Sequence, residues 1–284
     1  MTCCELYHFR KKYAVIYFLS MELAIRIQNL SKWFSQKRPL FAPWKKKPKI
    51  HALNQVNLEI PKGTLFAIVG PNGAGKTTLF RIISTLLLPD EGEVWVNGYH
   101  HGKDPEKIRR ILSFTTSQEG SFYMRLTARQ NLEFFASLYG LSPKETREKI
   151  EVLARTFKLE TVLDRPCEQL SSGIRQRLAL ARTYLHEAEI IMADEPTRSL
   201  DPLSKKDLRT RLKQLCLEHG KTVLFTTHDL REAEEIADRV AILQNGQLHT
   251  IIKPAELQAT REQNSLEEIF VNLCQEESSY SDVP

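Results

Sequence analysis

Two short groups of residues have the types and spacing to do phosphate chemistry. The first is Gly70-Pro71-Asn72-Gly73-Ala74-Gly75-Lys76-Thr77, followed by Thr78. Its glycines let the backbone curl so that successive N–H groups point inward at an anion. An apolar strand pattern over 65–69 runs into it and a helical pattern starts near Lys76, the context a glycine-rich phosphate loop requires. That helix offers its positive N-terminal end to the same anion. Lys76 has the reach for the β- and γ-phosphates of a nucleoside triphosphate, and the Thr77 hydroxyl is a ligand for Mg²⁺. The plain alternative is a glycine-rich turn with no ligand, and the strand and helix around it weigh against that.

The second group is Ile190-Ile-Met-Ala193-Asp194-Glu195, an apolar run ending in two acids. Alone it is a weak signal, since many core strands run into a solvated acidic loop. Beside a phosphate loop it reads as the other half of a site, because parallel strands deliver their C-terminal ends to one edge of a sheet. Asp194 then holds Mg²⁺ through water, and Glu195 polarises the attacking water as general base.

The elements that must position these groups alternate. Apolar strand patterns fall at 65–69, 94–96, 111–114, 190–193, 223–226 and 240–243, and a further one opens after Met21. Helical patterns fall near 75–87, 127–139, 144–157, 173–186, 203–218 and 230–236. This alternation predicts an α/β fold. Ser142-Pro143-Lys144-Glu145 has the form of a capping box with proline at the first helical position. Between about 120 and 180 the pattern is purely helical, so a helical subdomain is expected there, inserted between two strands of the main sheet. No internal repeat is visible, which leaves one domain over 21–252 and a C-terminal tail over 253–284.

Composition excludes several classes. The chain has 284 residues, 42% hydrophobic and 26% charged, ordinary values for a globular core. Its longest apolar stretch near the N-terminus, residues 13–19, falls well short of the roughly 18–20 residues needed to cross a bilayer. Arg10, Lys11 and Lys12 precede it as in a secretory signal, but no small-residue cleavage site follows. Residues 1–20 are therefore expected to be a disordered or untranslated extension, with Met21 as the true start. The five cysteines show no metal-ligand spacing, which fits a reduced, cytosolic compartment. The net charge of +5 is local: Lys37, Arg38, Lys45, Lys46, Lys47 and Lys49 carry more than all of it. A nucleic-acid binder is basic more widely than that. This segment, with its prolines, reads as a solvated loop; contact with anionic lipid or a partner is the alternative.

Further residues resemble one family. Leu170-Ser171-Ser172-Gly173-Ile174-Arg175-Gln176-Arg177 resembles the ABC signature, usually Leu-Ser-Gly-Gly-Gln, and Ser199-Leu200-Asp201 resembles the family's D-loop. His228 resembles its switch histidine and Gln118 its Q-loop glutamine. The motifs occur in order across about residues 23–250. Singly each has a dull reading: His228 as a helix cap, Gln118 as a loop residue, Asp201 as an N-cap before Pro202.

The resemblance implies a P-loop NTPase of the ABC type: a RecA-like, mostly parallel core with an antiparallel β subdomain and an inserted helical subdomain. It implies ATP and Mg²⁺ as ligands. It also implies an ATP-dependent head-to-tail dimer, with itself or a paralogous ATPase subunit, in which one signature closes over the other chain's nucleotide. Ser171 and Gly173 would face the γ-phosphate and Asp201 would lie at the shared site. His228 would bridge γ-phosphate and water. Gln118 would contact Mg²⁺ or the water and relay the site's state. Ser172 and Ile174 depart from the usual glycine and glutamine. Lys32-Trp33-Phe34 aligns with the family's Lys-x-Tyr, which nominates Phe34 to stack on adenine, and Trp44 is an equal alternative.

Ser121-Phe122-Tyr123-Met124-Arg125-Leu126-Thr127, Asn131-Leu-Glu-Phe-Phe-Ala136 and Ser265-Leu-Glu-Glu-Ile-Phe270 are similar to bacterial drug and polysaccharide exporters. The implied partner is a separate integral membrane permease, with this chain peripheral on the cytoplasmic face of the membrane. Phe122, Tyr123 and Met124 are candidates for the docking groove. Ribosome-acting and DNA-repair relatives usually need a second ATPase domain, a coiled coil or zinc cysteines, none of which is present. Intact Lys76, Asp194, Glu195 and His228 argue against a non-hydrolysing regulatory subunit.

Overall fold

The computed structural model describes residues 22–35, 49–116, 122–186, 188–198, 200–259 and 265–272. The chain opens with two long strands, β1 (Leu23–Ser35) and β2 (Lys49–Pro61), paired antiparallel. β3 (Leu65–Val69) leads into α1 (Lys76–Ile83), and β4 (Glu91–Val96) and β5 (Tyr99–His100) follow. Then come α2 (Pro105–Ile111) and β6 (Leu112–Thr116). Helices α3 (Ala128–Leu138), α4 (Pro143–Phe157) and α5 (Ser172–Thr183) stand between β6 and β7 (Ile190–Asp194). The remainder is α6 (Pro202–Leu217), β8 (Thr222–Thr227), α7 (Leu230–Ile236), β9 (Arg239–Gln244), β10 (Gln247–Ile252) and α8 (Pro254–Ala259). A last helix covers residues 266–272.

Two sheets result. One is antiparallel, in the order β2-β1-β4-β5; the other runs β10-β9-β3-β8-β7-β6 and is parallel except for β10. Every residue of β3 and β8 is buried. Such continuously buried strands belong to parallel sheets covered on both faces. Alternation sorts their side chains between two cores. Leu65, Ala67, Val69, Ile191, Ala193, Val223 and Phe225 face helices α3 to α7, whereas Phe66, Ile68, Ile190, Met192 and Leu224 face α1 and the antiparallel sheet. The α/β class, with a mostly parallel core and an antiparallel sheet, is as the sequence led one to expect.

Helix ends follow local chemistry. Ser142 and Glu145 form the expected capping box, and Thr127 and Gln130 form another at the start of α3. Several elements differ from expectation, among them α2, β5 and β10, which were not foreseen, and the helix expected over 173–186, which ends at Thr183. The helix expected over 75–87 ends at Ile83, because the N–H groups of Leu86 and Leu87 turn back to the Arg81 carbonyl, with Thr85 left-handed at φ 61°. Ile111 closes α2 and does not begin β6. β2 was not foreseen as a strand, and it begins at Lys49, inside the segment read as a loop. The rest of that loop, residues 36–48, and the extension over 1–20 lie outside the described residues.

The stretch of large apolar residues before α3 is split. Phe122 is core, edge-on to Phe135, with the Arg182 guanidinium over both rings. Tyr123 is 53% exposed and Met124 packs against the core from its edge. Asn131, fully buried on α3, holds this turn. Its Oδ1 accepts from the Tyr123 N–H at 2.9 Å. Its Nδ2 lies 3.0 Å from the Tyr123 carbonyl, 3.0 Å from that of Thr127 and 3.2 Å from Cys167 Sγ. Asn131→Ala leaves these buried groups unpaired. It is expected to lower unfolding free energy by about 1–3 kcal/mol, the desolvation cost of an orphaned buried group. Urea denaturation with an unchanged m-value is the check.

Candidate functional site

Strand β3 ends at Val69, and the loop that follows must turn within six residues into α1. Gly73 and Gly75 take φ of 85° and 105°, where a side chain is strained. Crowding adds to this: a Cβ on Gly75 would lie 2.3 Å from the Ala52 carbonyl oxygen, and one on Gly70 would lie 2.0 Å from that of Leu243. The helix has no side-chain cap at Gly75, so the N–H groups of its first turn are left for an anion. Lys76 is buried, and its ammonium donates to the Gly70 carbonyl at 2.6 Å and the Pro71 carbonyl at 3.0 Å. Burial pushes its pKa down, against the opposite pull of Glu195 and Asp194.

The acids arrive on β7, whose register sets Asp194 opposite Thr226 of β8. Asp194 accepts from two hydroxyls, that of Thr77 at 2.8 Å and that of Thr226 at 2.6 Å. Thr226 Oγ1 in turn accepts from the Glu195 N–H at 2.9 Å. Glu195 is left-handed, φ 47°, an uncommon state for a non-glycine residue that turns the chain sharply after the strand. Its carboxylate lies 4.0 Å from Lys76 Nζ, 3.3 Å from Arg198 Nη1 and 3.6 Å from His228 Nδ1. Asn72, Thr77, Thr78, Thr116, Asp194 and Glu195 are among the residues lining the resulting pocket of about 250 Å³. The Thr77 hydroxyl and the Asp194 carboxylate are adjacent hard oxygen donors. That fits Mg²⁺, which takes few protein ligands and keeps waters and phosphate oxygens.

The structure therefore brings together the phosphate loop, Asp194, Glu195 and His228. It does not bring Ser171 or Gly173 to this pocket. Ser171 caps α5, its hydroxyl accepting from the Ile174 N–H at 3.3 Å. Gly173 borders a different cavity, between α5 and α6. A Cβ on it would lie 2.7 Å from Ser204 Oγ, so within this chain its missing side chain serves helix packing and not approach to phosphate. Asp201 caps α6, accepting from the N–H groups of Leu203 and Ser204 at 3.0 Å each. Phe34 is exposed near the end of β1 opposite Ile50, with Lys32 over its ring, and does not line the pocket. Gln118, Trp44 and Ser199 lie outside the described residues.

Sequence reasoning missed Thr226 and Arg198. The signal for Thr226 was present: Thr222-Val-Leu-Phe-Thr-Thr227 has an apolar centre followed by two hydroxyls at its C-terminal end, the edge to which the acid pair is also delivered. Arg198 carried no comparable signal, since a basic residue after a turn is usually solvated.

Comparison with known proteins agrees with this geometry. The family pattern described as ABC transporter matches residues 53–198. ABC transporter ATP-binding protein NatA of Bacillus subtilis (strain 168) is 37% identical over 203 residues, covering 72% of this chain and 82% of NatA. Probable multidrug ABC transporter ATP-binding protein YbhF of Escherichia coli (strain K12) is 35% identical over 78% of this chain, but the match spans only 39% of YbhF. A relative named for import, the sulfate/thiosulfate import ATP-binding protein CysA of Synechocystis sp., is also 35% identical, over 81% of this chain and 60% of CysA. Among solved structures, the dimeric post-hydrolysis state of the ATP-binding cassette MJ0796 bound to ADP and Pi superposes with a TM-score of 0.70. Its identity is 30%, over 81% of this chain and 98% of that one.

Lys76 supplies the pocket's buried positive charge. Lys76→Ala removes a charge-assisted contact to phosphate worth about 1.5–3 kcal/mol, so affinity for a nucleoside triphosphate should fall by roughly 10- to 150-fold. Isothermal calorimetry on the folded variant measures this, and unchanged affinity would count against the phosphate-loop reading.

Proposed function

This chain belongs to the ABC transporter family and is one of its ATPases; on that premise we propose that it is the motor subunit that drives export through a separate membrane permease. The observation that carries the hydrolytic part is the setting of Glu195. Its carboxylate stands beside Lys76 and His228 at the mouth of a loop built for phosphate. In the proposed reaction the loop N–H groups and Lys76 hold the β- and γ-phosphates of ATP. Glu195 takes a proton from the water whose oxygen attacks the γ-phosphorus, and the bond to the β-γ bridging oxygen breaks to leave ADP and phosphate. His228, its ring largely exposed and facing Glu195, orients that water and the γ-phosphate. Thr77 and Asp194 hold Mg²⁺, which when bound neutralises charge on the phosphates. Gln118 is proposed as a further contact to the ion or the water.

Ser171 and Gly173 sit away from the chain's own pocket, which supports a site completed by a second subunit, head to tail. The dimeric state of the MJ0796 cassette supports the same reading. A copy of this chain or a paralogous subunit fills that role, its Ser171, Gly173 and Asp201 lying against the nucleotide. We propose Phe34 or Trp44 as the adenine platform. We also propose one ATPase domain over 21–252 whose helical subdomain is the block α3–α5.

No helix among the described residues is long and apolar enough to cross a membrane. A permease partner supplies the span, with this chain held on the cytoplasmic face of the membrane. Exposed Tyr123, edge-on to Phe134 at 4.9 Å between ring centroids, is the proposed docking residue. Export is proposed from the likeness to drug and polysaccharide exporters and from YbhF. Import is the second reading, favoured by the equal identity to CysA.

Two experiments test this. Glu195→Gln should bind ATP normally, lose most of its phosphate release, and run as a dimer on size exclusion in Mg-ATP. Wild-type turnover would remove Glu195 from its role. Tyr123→Glu should leave soluble ATPase activity nearly unchanged, yet lose co-purification with the permease and ATP-driven accumulation of cargo in inside-out vesicles. Loss of both activities together would mean that the substitution disturbs the ATPase itself, and would remove Tyr123 as the docking residue. ATP-driven transport in the opposite sense by the wild-type pair would establish import.

A further inference from the structure

We propose that Glu232 is a positioning residue that fixes Glu195 and His228 relative to one another, acting through the hydroxyls of Thr197 and Thr227. The proposal rests on the reading of Glu195 and His228 given above. Glu232 lies in the first turn of α7, and its side chain is 1% exposed. A single carboxylate oxygen, Oε2, accepts from Thr197 Oγ1 at 2.8 Å and from Thr227 Oγ1 at 2.8 Å. Thr197 is two residues beyond Glu195 and Thr227 is the residue before His228. One atom therefore joins the two loops that carry these groups.

The other oxygen, Oε1, accepts from Arg209 Nε at 3.2 Å. Arg209 lies on α6, which begins after the loop leaving β7, and it also bonds Glu235 at 2.7 Å and lies 3.9 Å from Asp229. Asp229 caps α7, accepting from the Glu232 N–H, while its own N–H donates to Thr227 Oγ1. The link stands where the pairing of β7 with β8 stops, although Thr227 is still paired to Val69 of β3. Paired register between β7 and β8 ends at Asp194 and Thr226, and Glu195 and His228 come after it. Beyond that point the Thr197–Glu232–Thr227 bridge, together with the bond from the Glu195 N–H to Thr226 Oγ1, sets the spacing of the two segments.

Stability alone is a poor reason for such a group. Burying a carboxylate carries a desolvation cost that pairing often only offsets, and a well-packed apolar side chain does as well or better. An apolar residue cannot bind two hydroxyls on two loops through one atom.

The test is steady-state phosphate release by the full chain with Mg-ATP. Thr197→Val and Thr227→Val keep volume and remove the donor. Each should lower kcat by about tenfold or more with KM within about twofold, and Thr197→Ser and Thr227→Ser should recover most of it. In a Glu195→Gln background Thr197→Val should add little further loss, because it acts through Glu195. Glu232→Gln serves if a valine variant fails to fold. Its amide either sets its NH2 against the Arg209 guanidinium or turns it to the hydroxyls, which must then accept instead of donate; both rotamers break the present pattern, so its kcat is expected to fall. Wild-type kcat in the folded valine variants or in Glu232→Gln overturns the proposal, and so does a full additional loss in the double variant. If Glu195→Gln itself turns over normally, it is the hydrolytic reading that fails.

Discussion

The parallel register between β7 and β8 is the constraint on which the site depends. It sets Asp194 opposite Thr226, and from that pairing come the hydroxyl on Asp194 and the acceptor for the Glu195 N–H. Apolar neighbours enforce it. Ile191 and Ala193 belong to one core, Ile190 and Met192 to the other. A slip of one residue would exchange every one of these faces and carry Asp194 away from Thr77. The chemistry is thus positioned by side chains that take no part in it.

A second constraint comes from outside the parallel sheet. The phosphate loop is pressed between the Ala52 carbonyl of β2 and the Leu243 carbonyl of β9. Gly246, in the turn after β9, accepts from the Asn54 N–H at 2.8 Å and donates to the Ala74 carbonyl at 3.1 Å. Both sheets therefore meet at the loop. Gly70 and Gly75 are needed for this crowding, whereas Gly73 has open space around it and is needed for its backbone angle.

Much of this was legible in the sequence because the relevant signals are local. A glycine-rich loop between a strand and a helix, or an apolar run ending in two acids, states its chemistry within about ten residues. The capping box at Ser142 was legible for the same reason. What was not legible depends on contacts between distant segments. The part of Gly173 in packing against Ser204 needs the helix it meets to be known, and Thr226 matters only because β8 lies beside β7. The signal of β2 was legible but passed over: Val56, Leu58 and Ile60 alternate with polar residues, the period of a half-buried strand, and not the continuous apolar run that marked the parallel strands. Phe122 and Tyr123, adjacent and alike in sequence, part company because one side chain turns toward Phe135 and the other outward beside Phe134.

The distance between Ser171 and the chain's own pocket has a consequence in mass action. If two chains complete each site, turnover in dilute solution rises with the square of subunit concentration. A permease that holds two subunits side by side replaces that bulk concentration with a local one, which for short tethers is in the millimolar range. Chains not engaged on such a permease would then consume little ATP. On the proposed arrangement the rate of fuel use would be tied to the number of assembled transporters and not to the amount of subunit made.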